Sequence, residues 1–133
     1  MGDIAGLISR RSQHDTPETL RRLRAAIEGA GLMVFAEVDH GQNAVEVDMP
    51  LRPTRLILFG HPRSGTLLMQ LGQTAGIDLP LKALIWDDPD GATWLSYNDP
   101  QWIAERHHLG EGARAPVGAM SAAIAKLAEA ATG

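Results

Sequence analysis

The stretch from Arg52 to Gly91 constrains the fold more than any other part of the chain. It reads RPTRLILFG, then HPRSGTLLMQ, then IDLPLKALIWDDPDG. A β-rich apolar run ends at Gly60, a Pro/Ser/Gly turn opens a helix, and a second apolar run carries one lysine, Lys82. Asp88-Pro89-Asp90-Gly91 has turn chemistry, with proline preset for an early turn position and glycine tolerant of positive φ. Residues 92–97 return as the partner strand of a hairpin. Strands joined by a hairpin rather than by a crossover helix run antiparallel, so a doubly wound parallel sheet fits this pattern poorly.

The flanking segments extend the pattern. Residues 5–12 predict a first strand. Thr16-Pro17 reads as N-cap and first helical residue, Leu20, Leu23 and Ile27 recur at helical spacing, and Gly31 supplies the stop. Residues 32–39 alternate, which predicts a half-buried strand with Leu32, Val34, Ala36 and Val38 on one face. Residues 42–49 fit a short helix or a loop. Ser64 is the expected cap of a helix beginning near Gly65, and Leu81 to Trp86 is the next strand. Asp99-Pro100 repeats the cap-plus-proline signature. A last helix, about 116–131, carries Val117, Met120, Ile124 and Leu127 on one stripe. The expected fold is α+β: a curved, mainly antiparallel sheet of about five strands with helices packed on one face, forming a single domain over 1–133.

Composition excludes several classes of function. There are no cysteines, so disulfides, thiol catalysis and Cys-ligated metals are ruled out, and a reducing cytoplasm is the expected setting. The N-terminus lacks the charged-then-apolar layout of a signal peptide, and no apolar run approaches the roughly 18–20 residues that span a bilayer. A small soluble domain with no membrane partner is therefore expected. A net charge of −4 argues against nucleic acid as a partner. Arg21, Arg22 and Arg24 form the one basic cluster and read as a solvated helix face.

Certain residues, taken together, carry a resemblance. These are Val34-Phe35 to His40, Arg52-Pro53-Thr54, Gly60-x-Pro62 with Gly65-Thr66 and Leu68-Met69, Leu79-Pro80-Leu81-Lys82, and Trp86-Asp87-Asp88. The chain resembles domain-of-unknown-function family 302 from about Ser12 to Leu109. The resemblance implies a TATA-binding-protein-like α+β fold and a homodimer, and it supplies no enzyme activity. His61 departs from the small polar residue common at its place in the family.

Four constellations are candidates for chemistry. Gly60-His-Pro-Arg-Ser-Gly65-Thr66 follows a strand and opens a helix, the setting of a phosphate loop, but Thr66 stands where that loop needs lysine. What remains is an anion site from Arg63, the amides near Ser64 to Thr66, and the helix dipole. Lys82 sits among apolar neighbours, so helices covering its face would desolvate it and lower its pKa. It would then serve as a ligand-holding cation or a base, its alternative being a packed stem with a solvated or paired head. His40, at a strand exit, suits a proton shuttle. The five histidines have no metal-ligand spacing, and the adjacent pair His107-His108 diverges by roughly 100° on a helix, so no metal is expected. Asp87, Asp88 and Asp90 read as turn residues. Ser64 lacks the G-x-S-x-G context of a hydrolase.

The function expected from this reading is noncatalytic binding of a small anionic or partly apolar ligand, with no cofactor. The ligand-binding residues would be His40, Gly60, Arg63, Ser64, Gly65, Thr66 and Lys82. Two rivals are a lysine- or histidine-dependent enzyme acting on a carbonyl metabolite, and a structural homodimeric module.

Overall fold

Among the described residues three helices carry a proline at their first or second position, after a side chain that caps the first turn. Asp15 accepts from the Glu18 amide at the head of α1 (Thr16–Gly29). His61 accepts from the Arg63 amide at the head of α3 (Pro62–Leu71). Asp99 accepts from the Gln101 amide at the head of α4 (Pro100–Arg106). Proline loses nothing at this position because the first amides of a helix have no intrahelical partner. The caps correct the expected boundaries: Asp15 rather than Thr16 caps α1, and His61 rather than Ser64 caps α3.

The computed structural model describes residues 3–133; Met1 and Gly2 lie outside the described residues. The strands are β1 (Leu7–Arg11), β2 (Met33–Asp39), β3 (Thr54–Gly60), β4 (Leu81–Asp87) and β5 (Thr93–Asn98). They form one sheet in the order β1-β5-β4-β3-β2, antiparallel at every pairing. The ambiguous segment after β2 forms the short helix α2 (His40–Glu46). A 3-10 helix, Gln73–Asp78, joins α3 to β4, and α5 (Arg114–Thr132) closes the described chain.

Period-two alternation sets the two faces of the sheet. Ile57, Phe59, Ala83, Ile85, Leu95 and Tyr97 point one way and are buried under Leu23 and Ile27 of α1 and Ile124 and Leu127 of α5. Each buried Leu, Ile or Phe among them, removed fully from water, contributes about 1.5–3 kcal/mol. Leu56, Leu58, Leu84, Trp86 and Trp94 point the other way and stay partly exposed. A second cluster, with Leu68, Ala75, Leu109, Val117 and Met120, joins α3 and the 3-10 helix to the N-terminal half of α5.

In β2 the simple alternation fails. Val34 pairs with Phe59 and Ala36 with Leu58, leaving Phe35 as the extra residue of a bulge. The bulge resets the register, so Val34 lies on the helix-covered face while Ala36 and Val38 lie on the uncovered one. Glu37 thereby meets Arg24 of α1 in an ion pair. The expected basic cluster is largely neutralised in the same way. Arg21 and Arg22 both bind Glu18, whose carboxyl is pushed down to about 2, chiefly by the Arg21 hydrogen bond.

Candidate functional site

The uncovered face also decides the fate of Lys82. It pairs with Leu58 on the side of the sheet away from α1 and α5. Its ammonium donates to the Asp78 carbonyl at 3.2 Å. Partial burial pulls its pKa below the ordinary lysine value, and the Asp78 carboxylate opposes that shift. Among the described residues α1 and α5 pack on the other face, and the lysine head instead meets the 3-10 helix at Asp78.

Gly60, Arg63, Ser64, Gly65 and Thr66 do come together. They line one rim of a cleft of about 620 Å³. Its walls are α3, the middle of α5, and the end of the sheet at Phe59 and Leu81, with Phe35 and Leu79-Pro80 completing the rim. The wall is mainly carbon; its polar side chains are His61, Arg63, Ser64 and Thr66. The cleft exists because small residues face the space between the two core clusters: Gly65 on α3, Ala119 and Ala123 on α5. A cavity of this size and lining is the usual form of a small-molecule site.

His40 and Lys82 do not belong to the cleft. His40 follows Asp39, which pairs with Arg55, whereas the cleft lies at the Gly60 end of β3. Five residues of extended chain separate those ends by roughly 17 Å. Lys82 is at the correct end but on the opposite face, with the sheet between. The expected convergence of imidazole, ammonium and helix start is therefore replaced by three separate locations.

The helix start itself also differs in detail. The Arg63 amide is taken by His61 Nδ1, the Ser64 amide donates to the His61 carbonyl at 3.1 Å, and the Thr66 hydroxyl donates to the Pro62 carbonyl at 2.7 Å. The amides expected to be free are thus engaged. Because Nδ1 accepts, the neutral His61 ring carries its proton on Nε2. Among the described residues Arg63 makes no ion pair. Polar recognition at this rim falls to side chains: the Arg63 guanidinium, His61 Nε2 and Ser64 Oγ.

Gly65 offers a direct probe of the cleft wall. A Cβ there would meet Met69 Cε at 3.8 Å and Leu79 Cδ1 at 3.9 Å, both ordinary contacts. Gly65→Ala is expected to raise stability by up to about 1 kcal/mol, through helix propensity, while narrowing the cleft. Denaturant unfolding of the two proteins checks it.

A second polar cluster lies beyond the cleft, on the 3-10 helix and α4. Asp78 receives Arg106 Nη1 at 2.8–2.9 Å and His107 Nε2 at 2.5 Å. Burial pushes its carboxyl up, but the His107 and Arg106 contacts together outweigh burial and hold it below the usual value. A depressed carboxylate stabilises the fold fully above its unfolded pKa of about 4, and that stability is lost as pH falls through the lower folded value. Asp78→Asn is therefore expected to melt earlier than the parent at neutral pH, the gap closing below about pH 4. Thermal melts across pH check it. Among the described residues no group of three or more His, Cys, Asp or Glu is placed to hold a metal.

The family pattern described as "Domain of unknown function DUF302" matches residues 8–127. A "Fluoride-specific ion channel FluC 1" of Brucella suis biovar 1 is 46% identical over 116 residues, 87% of this chain and 46% of that protein. A "Fluoride-specific ion channel FluC 2" of Brucella melitensis biotype 1 is equally identical over the same share of this chain and 43% of its own length. The chain thus spans a little under half the length of the curated relatives it matches. Among solved structures, an uncharacterized conserved DUF302 protein from Bacillus stearothermophilus superposes with a TM-score of 0.85. The superposition covers 96% of this chain and 99% of that one at 13% identity, a likeness of fold alone.

Proposed function

The chain belongs to the DUF302 family, and from that premise we propose that its cleft binds a small ligand with an apolar body and an anionic head, without reacting on it. The observation that carries this reading is the cleft of about 620 Å³, walled by carbon and polar only at the rim that bears Arg63. Burial of an apolar body supplies affinity at about 25 cal/mol per Å², and the guanidinium selects the sign of the head group. Titration with decanoate, with decanol as the uncharged control, tests it by calorimetry. Saturable decanoate binding that weakens in Arg63→Gln supports the reading. Equal affinity for decanol removes the anionic head, and absence of any binding removes the site.

The names of the Brucella relatives bear on context. Fluoride is a poor occupant of this cleft, since a small strongly hydrated halide needs donors around it and the wall offers mostly carbon. Among the described residues no helix is long and apolar enough to cross a membrane. We therefore assign the region shared with those proteins an accessory part, with conduction left to the rest of their length. Millimolar fluoride is expected to leave the melting temperature of this chain unchanged, and a saturable rise would contradict the assignment.

A second reading, a homodimer, is favoured by the uncovered face of the sheet. Leu56, Leu58, Leu84 and the stacked pair Trp86–Trp94 lie there together. Both indole N–H groups are satisfied internally, by Ser96 and Asp88, which leaves the ring faces apolar. Five strands at about 4.8 Å spacing and roughly 20 Å long present about 480 Å² before side-chain relief, the same order as the roughly 800 Å² each partner of a stable complex buries. Val45, Val47, Met49 and Leu51, in the β2–β3 connection, are exposed as well. Leu58→Glu is expected to convert a dimer to a folded monomer in sedimentation velocity. A parent protein that is monomeric, or a variant that stays dimeric, would contradict this use of the face.

A further inference from the structure

His107 is the histidine whose setting its sequence neighbours least foretell. His108, beside it, is exposed with φ 53°, whereas the His107 side chain is 7% exposed. Its ring bridges the two ends of the 3-10 helix Gln73–Asp78. Nε2 lies 2.5 Å from Asp78 Oδ2, and Nδ1 lies 2.9 Å from Thr74 Oγ1. These contacts settle the proton positions. An ionised carboxylate only accepts, so Nε2 carries hydrogen; in the neutral ring Nδ1 is then a lone pair, and the Thr74 hydroxyl donates to it. Arg106 Nη1 donates to both carboxylate oxygens of Asp78, sharing Oδ2 with His107.

The result is a hydroxyl bonded to a base that a part-buried carboxylate orients, the arrangement by which enzymes activate a weak nucleophile. The two ring nitrogens are exchanged relative to the serine-protease order, but the roles depend on who donates to whom. Thr74 is exposed, so the activated hydroxyl opens to solvent rather than into the core. Arg106 pairs with the Asp78 carboxylate and Lys82 donates to the Asp78 backbone carbonyl, so two cations flank the residue that orients His107.

We propose that Thr74 is an acyl-accepting nucleophile, with His107 as its base and Asp78 as the positioning residue, toward small activated esters and thioesters. Thr74 Oγ attacks the acyl carbonyl carbon while its proton passes to His107 Nδ1. The tetrahedral adduct collapses by breaking the bond to the phenolate or thiolate. The leaving group departs with the electron pair of that bond and takes the proton from His107. The product is an acyl-threonine ester and a free phenol or thiol, with no oxidant or other reactant required. This site is independent of the cleft, so failure of ligand binding there leaves it standing, and the reverse.

The experiment treats the full chain with p-nitrophenyl acetate, follows p-nitrophenol release, and locates the acetyl group by peptide mass spectrometry. The expected result is acetyl on Thr74, formed about 100-fold or more slowly in His107→Gln and absent in Thr74→Ala. Thr74→Ser should restore acetylation. Asp78→Asn should abolish it while circular dichroism stays native, because an amide that donates to Nε2 forces the proton onto Nδ1, and Asp78→Glu should recover part of the rate. Acetyl confined to lysines, or equal labelling of Thr74 in a folded His107→Gln or Asp78→Asn protein, overturns the proposal. Should His107→Gln fail to fold, the Asp78→Asn and Asp78→Glu pair decides alone.

Discussion

Phe59→Ala is expected to destabilise the protein by about 3–5 kcal/mol, the range for emptying a buried aromatic site. Phe59 is 1% exposed, stands on the helix-covered face of a central strand and pairs with Val34 and Leu81 across the sheet. Its ring therefore packs among side chains of both neighbouring strands and the helices above. It also lines the cleft, so truncation leaves a void continuous with an existing cavity rather than a sealed one. Two consequences separate this site from an ordinary core position. The loss should fall toward the lower end of the range, because a void open to the cleft admits water. A ligand with a bulky apolar body should recover part of the stability, as mass action stabilises any state that binds it. Urea unfolding with and without decanoate measures both effects.

The second large effect concerns binding alone. Ala123→Trp should lower decanoate affinity by tenfold or more, at least about 1.4 kcal/mol, with little change in folding. Ala123 lies on the exposed flank of α5 and faces the cleft opposite α3. An indole there fills space that a ligand body would occupy, and it meets a cavity rather than packed atoms. The usual cost of overpacking a core is therefore avoided. Calorimetric titration of the parent and the variant, with melting temperatures as the folding control, measures the difference. Unaltered affinity would place the ligand elsewhere.

The order of elements was legible because its signals are local. Proline after a capping residue starts α1 and α4 within one residue of where the sequence puts them, and Asp88-Pro89-Asp90-Gly91 makes the β4–β5 turn. The family resemblance, resting on Gly60-x-Pro62, Gly65-Thr66 and Leu79-Pro80-Leu81-Lys82, is likewise shown by the match over residues 8–127. The grouping of Gly60 with Arg63 to Thr66 on one rim of the cleft was legible too. What escaped the sequence depends on register and on which face the helices cover. Alternation places Lys82, Leu84 and Trp86 together but does not say that α1 and α5 lie on the other side. The Phe35 bulge reverses the face of Val34 relative to Ala36, and no residue type announces it. His61 as the cap of α3 was hidden because histidine is an uncommon cap. The apolar wall left one faint trace, the small residues Ala119 and Ala123 opposite Gly65, which alone read as helix propensity. Thr74, Asp78 and His107 are brought together by the 3-10 helix meeting α4, a contact 29 to 33 positions apart along the chain.

The most direct test of the central claim is a titration of isotope-labelled protein with decanoate, followed by amide and methyl NMR. Saturable shifts concentrated at Arg63, Ser64, Gly65, Ala119 and Ala123, with Leu58, Leu84 and Trp94 unmoved, are the predicted result. Shifts confined to the uncovered face of the sheet, or no saturable shift anywhere, would contradict the assignment of the cleft as the binding site.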